Sequence, residues 1–199
     1  MVKPSYFLLL GILLSSMISC KKDSSSTGSS GIDGNYKFVS LQSQTSSTAQ
    51  FSDGVSNYNS LTTSNYTTTN NTGTIAIGNN TMTGNGIGYS INSTATTYEY
   101  IDNVLFDSLS SPFNVTIPPV SSVSSFKLIG TDSIYFSGGF MSGAGGSNMA
   151  SVPSGGRYKM VGGTLTLTLN FAKDTVDASS GFPVHQHESG TAIATMQKQ

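Results

Sequence analysis

The chain has 199 residues and a formal net charge of -1 at pH 7, and only 10% of it is charged, well below the roughly 25% of an average globular protein. Solubility therefore falls to Ser, Thr, Asn and Gly, and no basic patch interleaved with aromatics is present, which excludes nucleic acid as an expected partner. One cysteine, Cys20, excludes an intramolecular disulfide, so stability has to come from an apolar core and from sheet hydrogen bonds.

The N-terminus reads as a leader. Lys3 supplies a positive start, and Tyr6 to Leu14 is apolar apart from Gly11. That run is too short for a membrane span of roughly 20 residues but fits a signal peptide. Met17-Ile18-Ser19-Cys20 resembles the lipobox of bacterial lipoproteins. The resemblance implies cleavage between Ser19 and Cys20 and lipidation of Cys20, giving an anchor with several acyl chains where one chain would bind only marginally. The alternative is a plain secretory signal with an incidental thiol. Lys21-Lys22-Asp23 resembles the export signal of Bacteroidetes surface lipoproteins, or else is the charged start of a linker. Residues 24–30 contain only Ser, Thr and Gly and read as a tether. The expected organisation is a signal peptide at 1–19, a lipidated Ser/Gly-rich tether at 20–31, and a β-barrel domain at 32–199. The expected location is the cell envelope, lipid-anchored in the outer membrane, periplasmic or surface-exposed.

About 180 residues follow the expected cleavage, enough for one domain with its own core. Thr, Tyr, Val and Ile are plentiful and no apolar repeat at helical spacing follows Cys20, which favours strands. Gly34-Asn35-Tyr36-Lys37-Phe38-Val39-Ser40-Leu41 predicts the first, with Tyr36 and Phe38 on one face and Val39 and Leu41 on the other. Residues 57–71 predict a polar, mostly exposed strand, and 74–77 a short one. Asn79-Asn80 predicts a hairpin turn, because Asn tolerates positive φ. In the return strand, 81–91, Gly84, Gly86 and Gly88 are expected on one face and Ile87, Tyr89 and Ile91 on the other, an arrangement that permits tight coiling. Residues 96–101 continue it.

Two later hairpins echo each other, Phe126 to Gly130 with Ser133 to Phe136, and Tyr158 to Gly162 with Thr164 to Leu167. The period is clearest in Thr164 to Phe171, where Leu165, Leu167, Leu169 and Phe171 alternate with Thr and Asn, the mark of one buried and one wet face. A last strand is expected over 190–196. Short strands separated by regular turns predict an all-β fold, an antiparallel up-and-down meander barrel, with a β-sandwich as the alternative.

The opening Gly34-Asn35-Tyr36 after a Ser-rich tether, the late hairpins of the Tyr158 to Phe171 type, and the final strand near the C-terminus resemble the lipocalin-like lipoproteins of Bacteroidetes. The resemblance covers most of residues 32–199. It implies a closed or nearly closed barrel, often with a cavity for a small apolar ligand, and informs fold more than activity.

Signals for chemistry are few. His185-Gln186-His187-Glu188 holds the only two histidines. In an extended segment both project to one face, as a two-histidine metal site needs, with Asp174, Asp177 or Glu188 as a third ligand. The alternative is an exposed polar loop after Pro183. Gly84-Asn85-Gly86-Ile87-Gly88 lacks the Lys-Ser/Thr of a phosphate loop and a following helix. There is no Gly-x-Ser-x-Gly elbow, and Ser142 and Ser147 have no evident base. Residues 138–156 read as a long Gly/Ser-rich loop whose Phe140, Met141, Met149 and Val152 serve as a lid or partner contact, or tuck against the barrel wall. Asp107-Ser108-Leu109, Asp132-Ser133-Ile134 and Asp174-Thr175-Val176 resemble the Bacteroidetes O-glycosylation pattern.

The expected function is non-catalytic. It is a membrane-tethered barrel, held through Cys20, that binds a small apolar ligand or a glycan, with no cofactor and no committed metal site. A filled barrel with a structural or surface-interaction role is the alternative.

Overall fold

The computed structural model describes residues 31–140, 152–179 and 181–199. Ser19, Cys20 and nearly all of the expected tether, together with Met141, Ser142, Ser147 and Met149, lie outside the described residues. The described residues form nine strands in chain order: β1 Gly34–Ser52, β2 Asn57–Thr67, β3 Thr69–Gly78, β4 Thr81–Ile101, β5 Val104–Ile129, β6 Ser133–Phe136, β7 Ser154–Val161, β8 Thr164–Asp177 and β9 Val184–Lys198. They form one antiparallel sheet, which closes into a ring where β1 pairs with β9 from Tyr36↔Lys198 to Gln50↔His185. One sheet, rather than two stacked ones, departs from the sandwich alternative.

β2 and β3 lie end to end as a single tier between β1 and β4. β1 pairs with β3 over Gly34 to Lys37 and with β2 over Gln42 to Ser52, and β4 pairs with both from the other side. The seam is Thr68, which is 3% exposed. Its N–H donates to the Leu41 carbonyl and its Oγ1 accepts the Leu41 N–H, each at 2.9 Å. The hydroxyl thus restores a bond that the register break would leave unmade. Residues 57–71 accordingly form two strands rather than the expected one. The Asn79-Asn80 turn is as expected, with both residues at positive φ.

The core is the inward face of a period-two pattern. Leu165, Leu167 and Leu169 on β8 pack with Tyr36, Phe38, Ile75, Ile134, Phe136 and Met196, all at most 1% exposed. Each such side chain contributes about 1.5–3 kcal/mol relative to exposure. Tyr36 keeps its phenol satisfied by donating to the Ile32 carbonyl at 2.7 Å. Two irregularities correct the expected faces. A register shift between Phe38 and Ser40 turns Leu41 inward with Phe38 and leaves Val39 outside. Another between Gly84 and Ile87 puts Gly84 opposite Ile75, on the same inward face as Ile87, Tyr89 and Ile91. A bulge adds one residue and so flips the parity that alternation alone would predict.

Strand lengths divide the molecule into two levels. β6 has 4 residues and β7 has 8, whereas β4 and β5 have 21 and 26. Near the ring-closed end every strand has two neighbours. Beyond β6 and β7, among the described residues, 104–117 of β5 pair only with β4, and 172–177 of β8 pair only with β9. The sheet there is an open trough in the order β5-β4-β2-β1-β9-β8. Most of β5 carries no strand expectation from the sequence. β7 begins at Ser154, inside the expected loop, and β9 begins at Val184, so both histidines lie on a strand.

Candidate functional site

The trough has two faces with different chemistry. Inward side chains continue the core face but become hydroxylic, and several bond to one another across strands. Thr45 meets Ser64 at 2.7 Å, and on the next strand pair Thr62 meets Thr97 at 2.9 Å and Ser60 donates to Glu99 at 2.9 Å.

The outward face is hollowed along β1, the middle strand of the trough. Gln44, Ser46, Thr48, Gln50 and Ser52 alternate outward from it. Register puts Gln44 between Asn65 and Thr191, Ser46 between Thr63 and Ser189, Thr48 between Leu61 and His187, and Gln50 between Asn59 and His185. A hollow of about 640 Å³ lies over the first two of these rows, reaching Thr94 and Thr96 on β4. No Lys, Arg, Asp or Glu lines it. Among the described residues, the side chains of Gln44, Ser46, Thr48, Gln50, Thr63, Asn65 and Thr94 make no hydrogen bond within the protein. A run of unbonded amides and hydroxyls in a concavity has donors and acceptors to spend on a ligand.

Further along β1 lies a hollow of about 290 Å³ that includes Thr48, Gln50, Asp174, His185 and His187. His185 and His187 share the outward face, as the extended segment predicts, and His187 Nδ1 lies 2.7 Å from Asp174 Oδ1. Asp174 is the directly paired residue on β8. Asp177 pairs instead with Val184, and Glu188 points inward opposite Lys173, so neither joins the histidines. Among the described residues, no three His, Cys, Asp or Glu side chains converge to hold a metal ion.

At the open end, a cleft of about 430 Å³ is lined by residues of the β1–β2 hairpin and by Asn103 and His185. Gln50, Asn57 and Asn59 reach it from the outward face, and Asn59 Oδ1 is buried with no hydrogen-bond partner. Phe51 and Tyr58 alternate to the other face of the same rows. Their rings stack with centroids 4.7 Å apart and planes 10° from parallel, which stiffens the hairpin behind the cleft. The hairpin tip is fixed by Asp53, whose Oδ1 accepts the N–H groups of Val55 and Ser56 at 2.8 Å each. The Ser56 and Val55 bonds hold its carboxyl below the ordinary carboxylate range, and the Asp53 charge raises the Tyr58 phenol above its usual value. Asp102 binds this tip to the β4–β5 turn by accepting the Asn57 N–H at 2.9 Å.

Three inward serines, Ser43, Ser124 and Ser154, are buried with no partner for their hydroxyls. Of the apolars in the expected lid, Val152 is buried and Phe140 packs edge-on against Phe136 at 5.3 Å, so these two tuck against the wall. Ser108 and Thr175 are exposed and Ser133 is half-buried in β6. The outward groove along β1 is invisible in the sequence, because the strand-to-strand register that assembles it is not written in any one segment. The only local signal is the alternation Gln44, Ser46, Thr48, Gln50 itself. No family model, curated protein or solved structure matches this chain.

Proposed function

We propose that this protein is a lipid-anchored, lipocalin-like β-barrel of the bacterial cell envelope, tethered through Cys20, whose outward groove along β1 binds an uncharged glycan. The carrying observation is the contrast between the trough's faces. Several inward hydroxyls of the trough bond to each other, whereas Gln44, Ser46, Thr63, Asn65 and Thr94 lie unbonded in an uncharged hollow whose Thr96 and Thr191 bond outward, to Ser110 and Asn170. Sugar hydroxyls both donate and accept, and Ser, Thr, Asn and Gln offer the same pairing without favouring an ionic ligand. The strand direction supports presentation. β1 starts at the end nearest the expected tether and runs to the open end, which favours a trough held away from an anchor at Cys20.

The test is a printed array of neutral and acidic glycans, probed with the chain from residue 31 onward. Binding to neutral glycans that falls about tenfold in Gln44→Ala and Asn65→Ala supports the reading. Binding to none, or to acidic glycans alone, removes it. Cys20→Ser tests the anchor separately, by loss of acyl mass and of membrane partition.

A small ligand inside the ring, largely apolar but carrying a polar group, is the second reading. It is favoured by the unpartnered hydroxyls of Ser43, Ser124 and Ser154, since buried polar groups usually find a partner in protein, water or ligand. Native mass spectrometry of protein purified from its own host checks it through a reproducible extra mass released on denaturation.

A further inference from the structure

The three hollows follow one another along β1. The first ends at Ser46 and Ser189, and the second begins at Thr48 and His187, the next outward positions on the same two strands. The second and third share Gln50 and His185 as a common wall. From Gln44 to Ser52 is roughly 26 Å of strand at about 3.3 Å per residue. Polar groups recur along the whole line, with Val176 beside the second hollow and Phe51, Tyr58 and Pro183 beside the third. Amides and hydroxyls at Gln44 and Asn65 give way to the Asp174–His187 pair, and then to the amides of Asn57, Asn59 and Asn103. Asn59 Oδ1, short of a donor, sits at that far end, and buried acceptors of this kind are rare unless something else supplies the proton.

Resting on the glycan reading above, we infer that the three hollows are consecutive subsites of one groove. The ligand is then a linear neutral oligosaccharide lying along β1, with one end at Asn57 and Asn59. Gln50 and His185 bridge the second and third subsites, so they are length-determining residues. They act only on a ligand long enough to pass them.

The experiment is isothermal titration with size-graded neutral glucan and mannan oligosaccharides of one to six sugar units, using the wild type, Gln50→Ala, His185→Ala and Asn59→Ala. The expected result is an affinity that rises about tenfold or more from the shortest binding unit to the longest. Each distal variant lowers the long-chain affinity toward the short-chain value by a larger factor than it lowers the short-chain affinity, with thermal unfolding as the check on folding. A wild-type affinity that is flat with length overturns the inference while the glycan reading stands. So does an equal loss at every length in the distal variants. Failure of every oligosaccharide to bind, with a null array, removes the glycan reading itself.

Discussion

The ring-closed end and the trough are built from the same strands but held by different forces. At the closed end, β8 buries Leu165, Leu167 and Leu169 completely or nearly so. On the trough, the same strand presents Lys173, Asp174 and Thr175 to solvent or to hydroxylic neighbours. Along β1, Tyr36 and Phe38 give way to Ser43, Thr45 and Ser47. One end therefore rests on apolar burial, the main driving force of folding. The other rests on cross-strand hydroxyl pairs, each with a net contribution of about 1 kcal/mol. A sheet can extend past its core in this way when its backbone ladder is continuous and its side chains bond sideways. The hydrophobic core fixes register at one end and the trough inherits it.

The largest expected effect comes from cutting the core. Leu167→Ala at a fully buried site should destabilise the fold by about 2–5 kcal/mol, whereas Thr62→Val, which removes one hydroxyl pair in the trough, should cost about 0.5–1.5 kcal/mol. Urea unfolding of both variants measures the ratio. Equal losses would mean that the trough shares the core's load, and the division of forces between the two ends would not hold.

Gly156 sharpens the same comparison from the backbone side. A Cβ there would run into the Thr168 carbonyl across the β7–β8 ladder, and the clash is with backbone, which has little room to shift. Gly156→Ala should destabilise by about 1–3 kcal/mol, while Gly78→Ala, where a Cβ meets nothing within 4 Å, should be close to neutral. Similar midpoints for the two variants would show that β7 can shift away from β8.

A pH test separates the two levels chemically. Burial pushes the Tyr89 phenol, in the core, up to about 12, against about 10 for an unfolded tyrosine. Above pH 10 the unfolded chain releases a proton that folded Tyr89 still holds, so stability is full below about pH 10 and falls as pH rises toward 12. Tyr89→Phe should flatten part of that fall in alkaline unfolding curves. Tyr58→Phe, in the trough where water screens the Asp53 charge, should flatten it less. Identical curves for wild type and Tyr89→Phe would place the alkaline transition elsewhere.

The sequence carries the ring end well and the trough poorly, for a physical reason. Alternation in Leu165 to Phe171, the Asn79-Asn80 turn, and the Gly130 and Gly162 turns are local signals, and the structure follows them. Where a bulge intervenes, at Phe38/Ser40 and Gly84/Ile87, alternation predicts the wrong face, because one extra residue reverses parity. Most of β5 is illegible beforehand. Its Ser-Ser-Pro and Pro-Pro steps resemble loop punctuation, and with few inward apolars between Val104 and Asn114 there is no period to see. The His185 and His187 side chains do share a face, but the groove they join depends on Gln50 and Asn59 arriving by register from two other strands. Such a site is legible only once the sheet is assembled.

The smallest thermodynamic effect is expected where the trough ends. Residues 104–117 of β5 form an edge with no second strand beside it among the described residues, and Leu105, Phe106 and Leu109 on it are 53%, 73% and 65% exposed. A long apolar edge invites pairing with another chain, and natural sheets guard such edges with charge or proline. Here charge is nearly absent, Asp107 being the one acid in the run, and proline takes its place. Pro112 lies mid-edge opposite Thr94, and Pro118-Pro119 sit at the register shift between Val120 and Ile117. Pro112, within the edge, has no backbone N–H to offer an incoming strand. Pro112→Val restores that donor and adds a β-branched residue, so folding stability should change by less than about 1 kcal/mol while self-association rises. Light scattering coupled to size exclusion, over a concentration series, would show dimers or larger species in Pro112→Val at concentrations where the wild type stays monomeric. Adding Leu109→Lys to the same variant should return it to monomer by placing a charge on the edge. If Pro112→Val stays as monomeric as the wild type, the guard is not proline, and the coiling of the long β4–β5 ribbon must be what keeps this edge from pairing.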